Sequence, residues 1–130
     1  MPPRGSGRRS VGLALMGAVG AAAVFSRVAV AGDSMLPTLE PGDRLLVLRI
    51  GHRRLIRPGD LVTVRDPRED GSRRVLVKRV GDLDGESAEV TGDNPDASTD
   101  SRSFGRVPLS FVTGRVLYRY APGPRAGVVR

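Results

Sequence analysis

Cysteine and tryptophan are absent from this chain of 130 residues, and histidine and lysine occur once each, as His52 and Lys78. Without cysteine there is no disulfide framework, no thiolate zinc site, no iron–sulfur cluster and no thiol nucleophile. A single histidine excludes a His-rich metal site and leaves one candidate for imidazole acid–base work. No metal and no cofactor is expected. Aromatic side chains number five, so a core must rest on Val and Leu. Glycine and proline are plentiful, 17 and 10, but not periodic, which excludes collagen and a simple linker. The length allows one small domain.

What is present in excess is arginine. Of 21 basic side chains 20 are Arg, against 14 acidic ones, for a net charge of +7. A G+C-rich coding sequence accounts for much of that bias. The charge is unevenly spread: residues 80–101 hold seven acids and no base, and residues 102–130 hold six Arg and no acid. So basic a chain raises nucleic acid as a partner. Yet there is no helix-turn-helix pattern, no zinc spacing and no aromatic interleaving. The Arg residues mostly alternate with Val and Leu, as on the wet face of a sheet, and no nucleic-acid partner is expected.

Residues 1–10 are polar, basic and rich in Gly and Pro, and read as a disordered tail. Residues 11–26 (VGLALMGAVGAAAVFS) carry no charge. As a helix they span roughly 24 Å at about 1.5 Å per residue, short of a hydrocarbon core of about 30 Å. Snorkelling of Arg9 and Arg27 could extend that reach. Read as a single-pass transmembrane anchor, the segment has three Arg before it. The positive-inside rule then puts the N-terminus in the cytoplasm and the rest on the outer face of the plasma membrane. A cleaved signal peptide with Ala29-Val30-Ala31 as its processing site and a buried soluble helix are the rival readings.

From residue 27 the period changes to two. Residues 27–31, 44–50, 60–65, 74–80, 87–91 and 112–120 alternate as short strands, separated by stretches rich in Pro, Gly and Asp. Pro41-Gly42-Asp43 and Pro58-Gly59-Asp60 are turn tripeptides just ahead of strands. Short strands without intervening helices predict an all-β domain over residues 27–120. It should be a sandwich or a partly closed barrel, preceded by one N-terminal hydrophobic helix. Residues 121–130 read as a flexible tail.

Three stretches are dense in reactive groups. Gly32-Asp33-Ser34-Met35-Leu36-Pro37-Thr38-Leu39 follows the first strand, and its turn can present the Ser34 hydroxyl; a serine in a turn is also ordinary. In Val75-Leu76-Val77-Lys78-Arg79-Val80, alternation puts Lys78 on one face with Leu76 and Val80. That position favours desolvation of the amine, although most lysines at strand edges point to water. The stretch from Gly92 to Arg102 (GDNPDASTDSR) is more polar than a connector requires.

In this order the stretches resemble the boxes of the signal peptidase I family, serine endopeptidases with a Ser/Lys dyad. Gly32-Asp33-Ser34-Met35-x-Pro37-Thr38-Leu39 is similar to the family's nucleophile box, Arg57-Pro58-Gly59-Asp60-x-Val62 to its R-x-G-D strand entry, and Lys78-Arg79 to its general-base box. Gly92-Asp93-Asn94-x-x-x-Ser98-x-Asp100-Ser101-Arg102 is similar to its closing box. The resemblance covers about residues 28–120. It implies Ser34 as nucleophile, Lys78 as general base, and Ser98 as the hydroxyl that orients the Lys78 amine. Asp100 and Arg102 would form an ion pair that shapes the site. Met35, Leu39 and Val77 would line a shallow pocket for a small side chain. The substrate, a precursor's leader peptide, would lie extended against residues 27–31 and the strand ending at Lys78, by strand addition.

The chemistry asks for these residue types. A serine hydroxyl attacks only when a base takes its proton. A lysine can be that base only if its pKa falls from about 10.4 toward neutrality. A fall of about three units is roughly 4 kcal/mol of disfavoured charge, within the reach of apolar burial. Arginine cannot do this, because it stays protonated. Some members of the family offer a hydroxyl two residues before the nucleophile as an oxyanion donor. Gly32 stands at that position, so the Ser34 backbone N–H is the expected donor.

The sequence departs from the family pattern at two points. Gly81-Asp82-Leu83-Asp84-Gly85 replaces the usual G-x-P-G-D, and Pro95 stands where many bacterial members have Arg. The chain also lacks the large inserted β-subdomain of longer members. In this it is similar to short actinobacterial-type members, including proteases that mature nickel-containing superoxide dismutase. Cleavage after small residues in an Ala-x-Ala context by a monomer is the leading expectation. A dedicated maturation protease is the alternative, and a LexA-like self-cleaving protein or an inactive peptide-binding β module are further ones. The acidic run Asp82-Leu83-Asp84-Gly85-Glu86 fails the EF-hand spacing. His52, in an Arg-rich loop, reads as a surface residue.

Overall fold

The computed structural model describes residues 24–49, 56–68 and 73–130. Seven strands form one antiparallel sheet, curled into a half-barrel. They are β1 (Phe25–Ala29), β2 (Arg44–Arg49), β3 (Leu61–Arg65), β4 (Val75–Leu83), β5 (Ser87–Thr91), β6 (Val107–Pro108) and β7 (Val112–Ala121). Their order across the sheet is β1-β2-β7-β3-β4-β5-β6. The first six form a chain of sequential neighbours broken once, where β7 returns to pair with both β2 and β3. The fold is thus all-β and a partly closed barrel, as the alternation predicts.

That alternation sorts the side chains. Along β2, Leu45 and Val47 are buried while Arg44 and Arg49 are exposed. Two apolar clusters result. One gathers Val30, Met35, Leu39, Leu45, Val47, Leu61 and Val116. The other gathers Ile56, Val62, Val64, Val80, Ala88, Val90, Val107 and Val112, with Phe104, Leu109 and Phe111 packed against it. Valine dominates the second cluster, as a chain with few aromatics requires. Burial of each such side chain is worth about 1.5–3 kcal/mol.

The two Pro-Gly-Asp tripeptides make the same turn. Gly42 and Gly59 adopt φ of +92° and +95°, a left-handed region open chiefly to glycine. Each following aspartate caps its turn: Asp43 accepts from Glu40 N at 2.9 Å, and Asp60 from Arg57 N at 2.8 Å.

Three segments differ from what the sequence alone predicts. First, of the anchor that the sequence predicts over 11–26, residues 11–23 lie outside the described residues, and Phe25 and Ser26 belong to β1. The strand starts early because β2 offers partners to its far end, pairing Leu48 with Phe25 and Val47 with Ser26. No helix among the described residues is long and apolar enough to cross a membrane. Second, no alternation predicts β6: it is two residues long, and one of them is Pro108. Third, the segment 121–130, expected as a flexible tail, turns back on β7. Arg119 and Gly127 exchange two main-chain hydrogen bonds of 2.9 Å, and Arg125 reaches Asp43 and Glu40. The acids that hold it lie more than 80 residues upstream, so nothing local to the segment announces its docking.

Candidate active site

Ser34 lies in the loop 31–42, between β1 and β2. The 92–102 loop approaches it from across the sheet. Asn94 N donates to Ser34 O at 2.8 Å, and Asn94 Nδ2 donates to Asp33 O at 3.0 Å. Gly92 makes the approach possible: a Cβ there would lie 2.6 Å from Ser34 O and would collide with Ser98 Oγ. Four residues on, Thr38 Oγ1 donates to Asp93 Oδ2 at 2.6 Å. Arg79 donates to the same carboxylate through Nε at 2.8 Å and Nη2 at 2.7 Å, and through Nη1 to Gly59 O at 2.8 Å. Asp93 therefore joins the serine loop to the strand that carries Lys78, and its pKa is lowered chiefly by the Arg79 fork.

Lys78 stands on β4 opposite Val62 of β3. Val62 and Val80 belong to an apolar cluster and Leu76 packs against it. In these surroundings only 2% of the lysine is exposed. Burial lowers the pKa of its amine, because an ammonium ion loses its hydration there. Asp100 opposes that shift, while Arg102 and Arg68 add to it. Lys78 Nζ donates to Ser98 Oγ at 2.9 Å, and Ser98 Oγ donates to Asp100 Oδ2 at 2.6 Å.

Asp100 is fully buried yet stays charged. Burial alone would raise its pKa, but hydrogen bonds from Arg102, Ser98 and Gly92 N outweigh it and hold the carboxyl far below the usual range. Arg102 supplies Nε at 2.9 Å and its own backbone N at 3.0 Å, and Gly92 N lies at 2.8 Å. The expected Asp100–Arg102 ion pair is thus present. It fixes Ser98, and through Ser98 the lysine amine.

A cleft of about 430 Å³ opens over these groups. Its lining includes Val28, Val30, Ser34, Met35, Val77 and Lys78. Met35 is almost wholly buried but reaches the cleft wall, and Val77 is half-buried there. Leu39 does not reach it: this side chain, expected in the pocket, is fully buried in the apolar cluster behind Met35. The cause is the turn at 34–39, in which Leu39 N bonds to Met35 O at 2.9 Å and the side chain turns inward. Among the described residues no group of three or more His, Cys, Asp or Glu is placed to hold a metal ion.

Two edges border the cleft. β1 is the outermost strand, paired only with β2. On β4, the pairing with β5 begins at Arg79, leaving residues 75–78 paired on one side only, with β3. Both edges present main-chain donors and acceptors toward the same space.

Thr38, Arg79, Asp93 and Asn94 stand within the boxes quoted above, but the sequence alone attached no role to them. Their joining role follows from contacts that span 14 to 61 positions. Arg68 and Arg74 also line the cleft, and only the fold could bring them there.

Comparison with known proteins gives a consistent set. The family described as signal peptidase, peptidase S26, matches residues 6–91. The mitochondrial ATP-independent inner membrane protease subunit 1a of Arabidopsis thaliana is 37% identical, over 82% of this chain and 77% of that protein. The mitochondrial inner membrane protease subunit 1 of Xenopus tropicalis is 32% identical, over 73% of this chain and 68% of that protein. A signal peptidase I of Leptolyngbya laminosa is 28% identical, over 96% of this chain and 83% of that protein. The family match ends just short of Gly92, so the geometry of the 92–102 loop stands beside it as separate information.

Proposed function

The chain belongs to the signal peptidase family, peptidase S26, and is a serine endopeptidase of the leader-peptidase type; on that premise we propose that Ser34 is its nucleophile and Lys78 its general base. The observation that carries this reading is the state of Lys78. A buried lysine bonded to a neutral hydroxyl, its pKa lowered by desolvation, borders the same cleft as Ser34.

A neutral amine has two hydrogens and one lone pair. One hydrogen is engaged by Ser98 Oγ, which holds the lone pair toward the cleft. The Ser34 hydroxyl transfers its proton to that lone pair as its oxygen bonds to the scissile carbonyl carbon. The carbonyl oxygen becomes an oxyanion, and the Ser34 backbone N–H is the donor we assign to it. Collapse of this intermediate breaks the C–N bond. The Lys78 ammonium returns the proton to the leaving amine, leaving an acyl–serine ester. Water then attacks the ester carbon with Lys78 accepting its proton; the C–O bond to Ser34 breaks, Lys78 passes the proton to Ser34 Oγ, and the new C-terminus is released.

The substrate is a peptide segment of a precursor protein. We assign its extended backbone to the space between the edge of β1 and residues 75–78 of β4, where both edges have main-chain groups to offer. Side chains beside the scissile bond would meet Met35, Val77 and Val28, a wall that suits Ala and other small residues. The uncharged segment from residue 11 up to the start of β1 is assigned as a single-pass anchor, with the N-terminus cytoplasmic and the catalytic domain on the outer face of the plasma membrane, acting as a monomer.

The test is a leader peptide with Ala at positions −3 and −1, assayed with Ser34→Ala and Lys78→Arg. Both variants should abolish cleavage while circular dichroism stays unchanged. Cleavage by Lys78→Arg at the parent rate would overturn the dyad, since that change keeps the charge and removes the base. Recovery of the intact chain in the soluble fraction would overturn the anchor.

A further inference from the structure

The loop that carries Ser34 is closed at its base by two main-chain hydrogen bonds. Val30 N donates to Asp43 O, and Gly42 N to Val30 O, both at 2.8 Å. On one side the loop is held by Asp93 and Asn94. On the other it is held by a second set of contacts that the cleavage mechanism does not use. Arg119 Nη1 donates to Thr38 O at 3.0 Å and to Asp43 Oδ2 at 3.1 Å. Arg125 donates to Asp43 through Nε at 3.2 Å and Nη2 at 3.0 Å, and to Glu40 Oε1 at 3.0 Å. Arg119 Nε also donates to Arg125 O, which ties the two arginines together.

We propose that Arg119 and Arg125 are positioning residues for peptide cleavage, and that the segment 121–127 is a strap that sets the Ser34 loop against Lys78. The proposal rests on the assignment of Ser34 as nucleophile.

Thr38 is the point where both sides meet. Its carbonyl accepts from Arg119, and its hydroxyl donates to Asp93, the partner of the arginine next to Lys78. A loop pinned from two sides holds its serine at one distance from the base. Pinned from one side, it can rock about the contacts that Asn94 makes with Asp33 and Ser34. The anchor is strong enough for this work. Asp43 has a side chain only 2% exposed, and it draws the two guanidinium groups together on one carboxylate. Burial by itself would raise the Asp43 pKa, but hydrogen bonds from Arg125, the Glu40 backbone and Arg119 lower it below the usual carboxylate range. Loss of Arg125 still leaves Asp43 with Arg119 and Glu40 N, so the loop loosens rather than unfolds. The side-chain hydrogen bonds of Arg119 and Arg125 go to Thr38, Glu40, Asp43 and the Arg125 carbonyl, and not to the β1 and β4 edges that border the cleft.

The expected signature is therefore a fall in kcat without a matching rise in KM. In the full chain, Arg125→Ala should lower kcat about tenfold or more, with KM within twofold of the parent. The midpoint of the acid limb of the pH profile should stay in place, because the surroundings of Lys78 are unchanged. Arg125→Lys should recover part of the loss, since an ammonium reaches one carboxylate oxygen where the fork reaches the carboxylate twice. Arg125→Gln, which keeps a neutral donor, should show the same split and gives an independent measurement if Arg125→Ala does not fold. Parent kcat in a folded Arg125→Ala or Arg125→Gln protein would overturn the proposal, as would a rise in KM that accounts for the whole loss. Parent-level cleavage by Ser34→Ala would instead defeat the nucleophile assignment, whatever the arginine variants do.

Discussion

Lys78 and Asp100 do not bond directly; Ser98 stands between them, accepting from Lys78 Nζ at 2.9 Å and donating to Asp100 Oδ2 at 2.6 Å. The spacing matters. A carboxylate bonded straight to the amine would stabilise the ammonium and raise its pKa, while a neutral hydroxyl orients the amine without that cost. Ser98→Ala should therefore lower kcat roughly 10–100-fold by freeing the amine to rotate. It should leave the fold intact, because Asp100 keeps Arg102 and Gly92 N. Steady-state kinetics with a thermal melt decides this; parent kcat would show that Ser98 has no orienting role.

Cleavage should depend on the neutral form of Lys78. Below its folded-state pKa the amine is an ammonium and cannot accept the Ser34 proton, so kcat/KM rises with pH through that pKa. Asp100 raises the lysine pKa through its charge, against the lowering by burial. Asp100→Asn should accordingly move the acid limb to lower pH, even as the loss of its bonds to Ser98 lowers the plateau. A limb that moves to higher pH would contradict the sign of this coupling.

The same burial costs stability. The unfolded chain holds the Lys78 proton up to about pH 10.4, whereas the folded chain releases it earlier. Between the folded-state pKa and that value the unfolded state binds more protons, so this group's contribution rises with pH; below the folded-state pKa its penalty is present in full. Lys78→Met, which refills the space with an apolar chain, should raise Tm at pH 7 while abolishing cleavage. The gain in Tm should shrink as the pH is raised toward 10. A Tm at or below the parent's at pH 7 would refute the penalty.

Asp43 should behave in the opposite way. Its folded-state pKa is depressed, on balance, by its two arginines, so its contribution is present above about pH 3.9 and is lost as the pH falls through the folded value. Asp43→Asn should be destabilised at pH 7, by about 1–3 kcal/mol for one partner of a buried charged network. Denaturant melts of the two proteins should converge as the pH falls below about 4. A gap that persists unchanged to pH 2 would remove the arginine network as its source.

Gly92→Ala tests the closest approach in the site. The added Cβ would lie 2.6 Å from Ser34 O and against the Ser98 side chain. Both groups must give way, so cleavage should fall by two orders of magnitude or more, with a modest loss of Tm. Near-parent kcat would mean that the 92–102 loop can shift without moving Ser34 or Ser98.

Much of this was legible in the sequence, for identifiable reasons. Strands β2, β3, β5 and β7 appear within one residue of the limits their alternation suggests; in β2, β5 and β7 one face meets a core and the other is more open, whereas β3 is buried on both faces and its start is set by the Pro-Gly-Asp turn before it. The two Pro-Gly-Asp turns are local chemistry and fall where they should. Ser34, Lys78, Ser98, Asp100 and Arg102 are readable as a set because the resemblance preserves their order and spacing. Leu39 lies in the core rather than the pocket, and a motif does not say which of its apolar side chains turns inward. The docking of 121–127 was missed because its partners, Glu40 and Asp43, are acids in a distant turn with no pattern linking them to Arg125.

By itself, the sequence determined an all-β chain built on valine, free of thiol chemistry and disulfides, with one cation able to lose its proton. Those are properties of composition and of a two-residue period, and each can be evaluated from near neighbours. The tertiary structure decided how deeply Lys78 is desolvated, and that arginines from the far end of β7 and beyond hold the Ser34 loop. Desolvation and ion pairing depend on what stands within a few ångströms in space, and here those neighbours lie up to 85 residues apart along the chain.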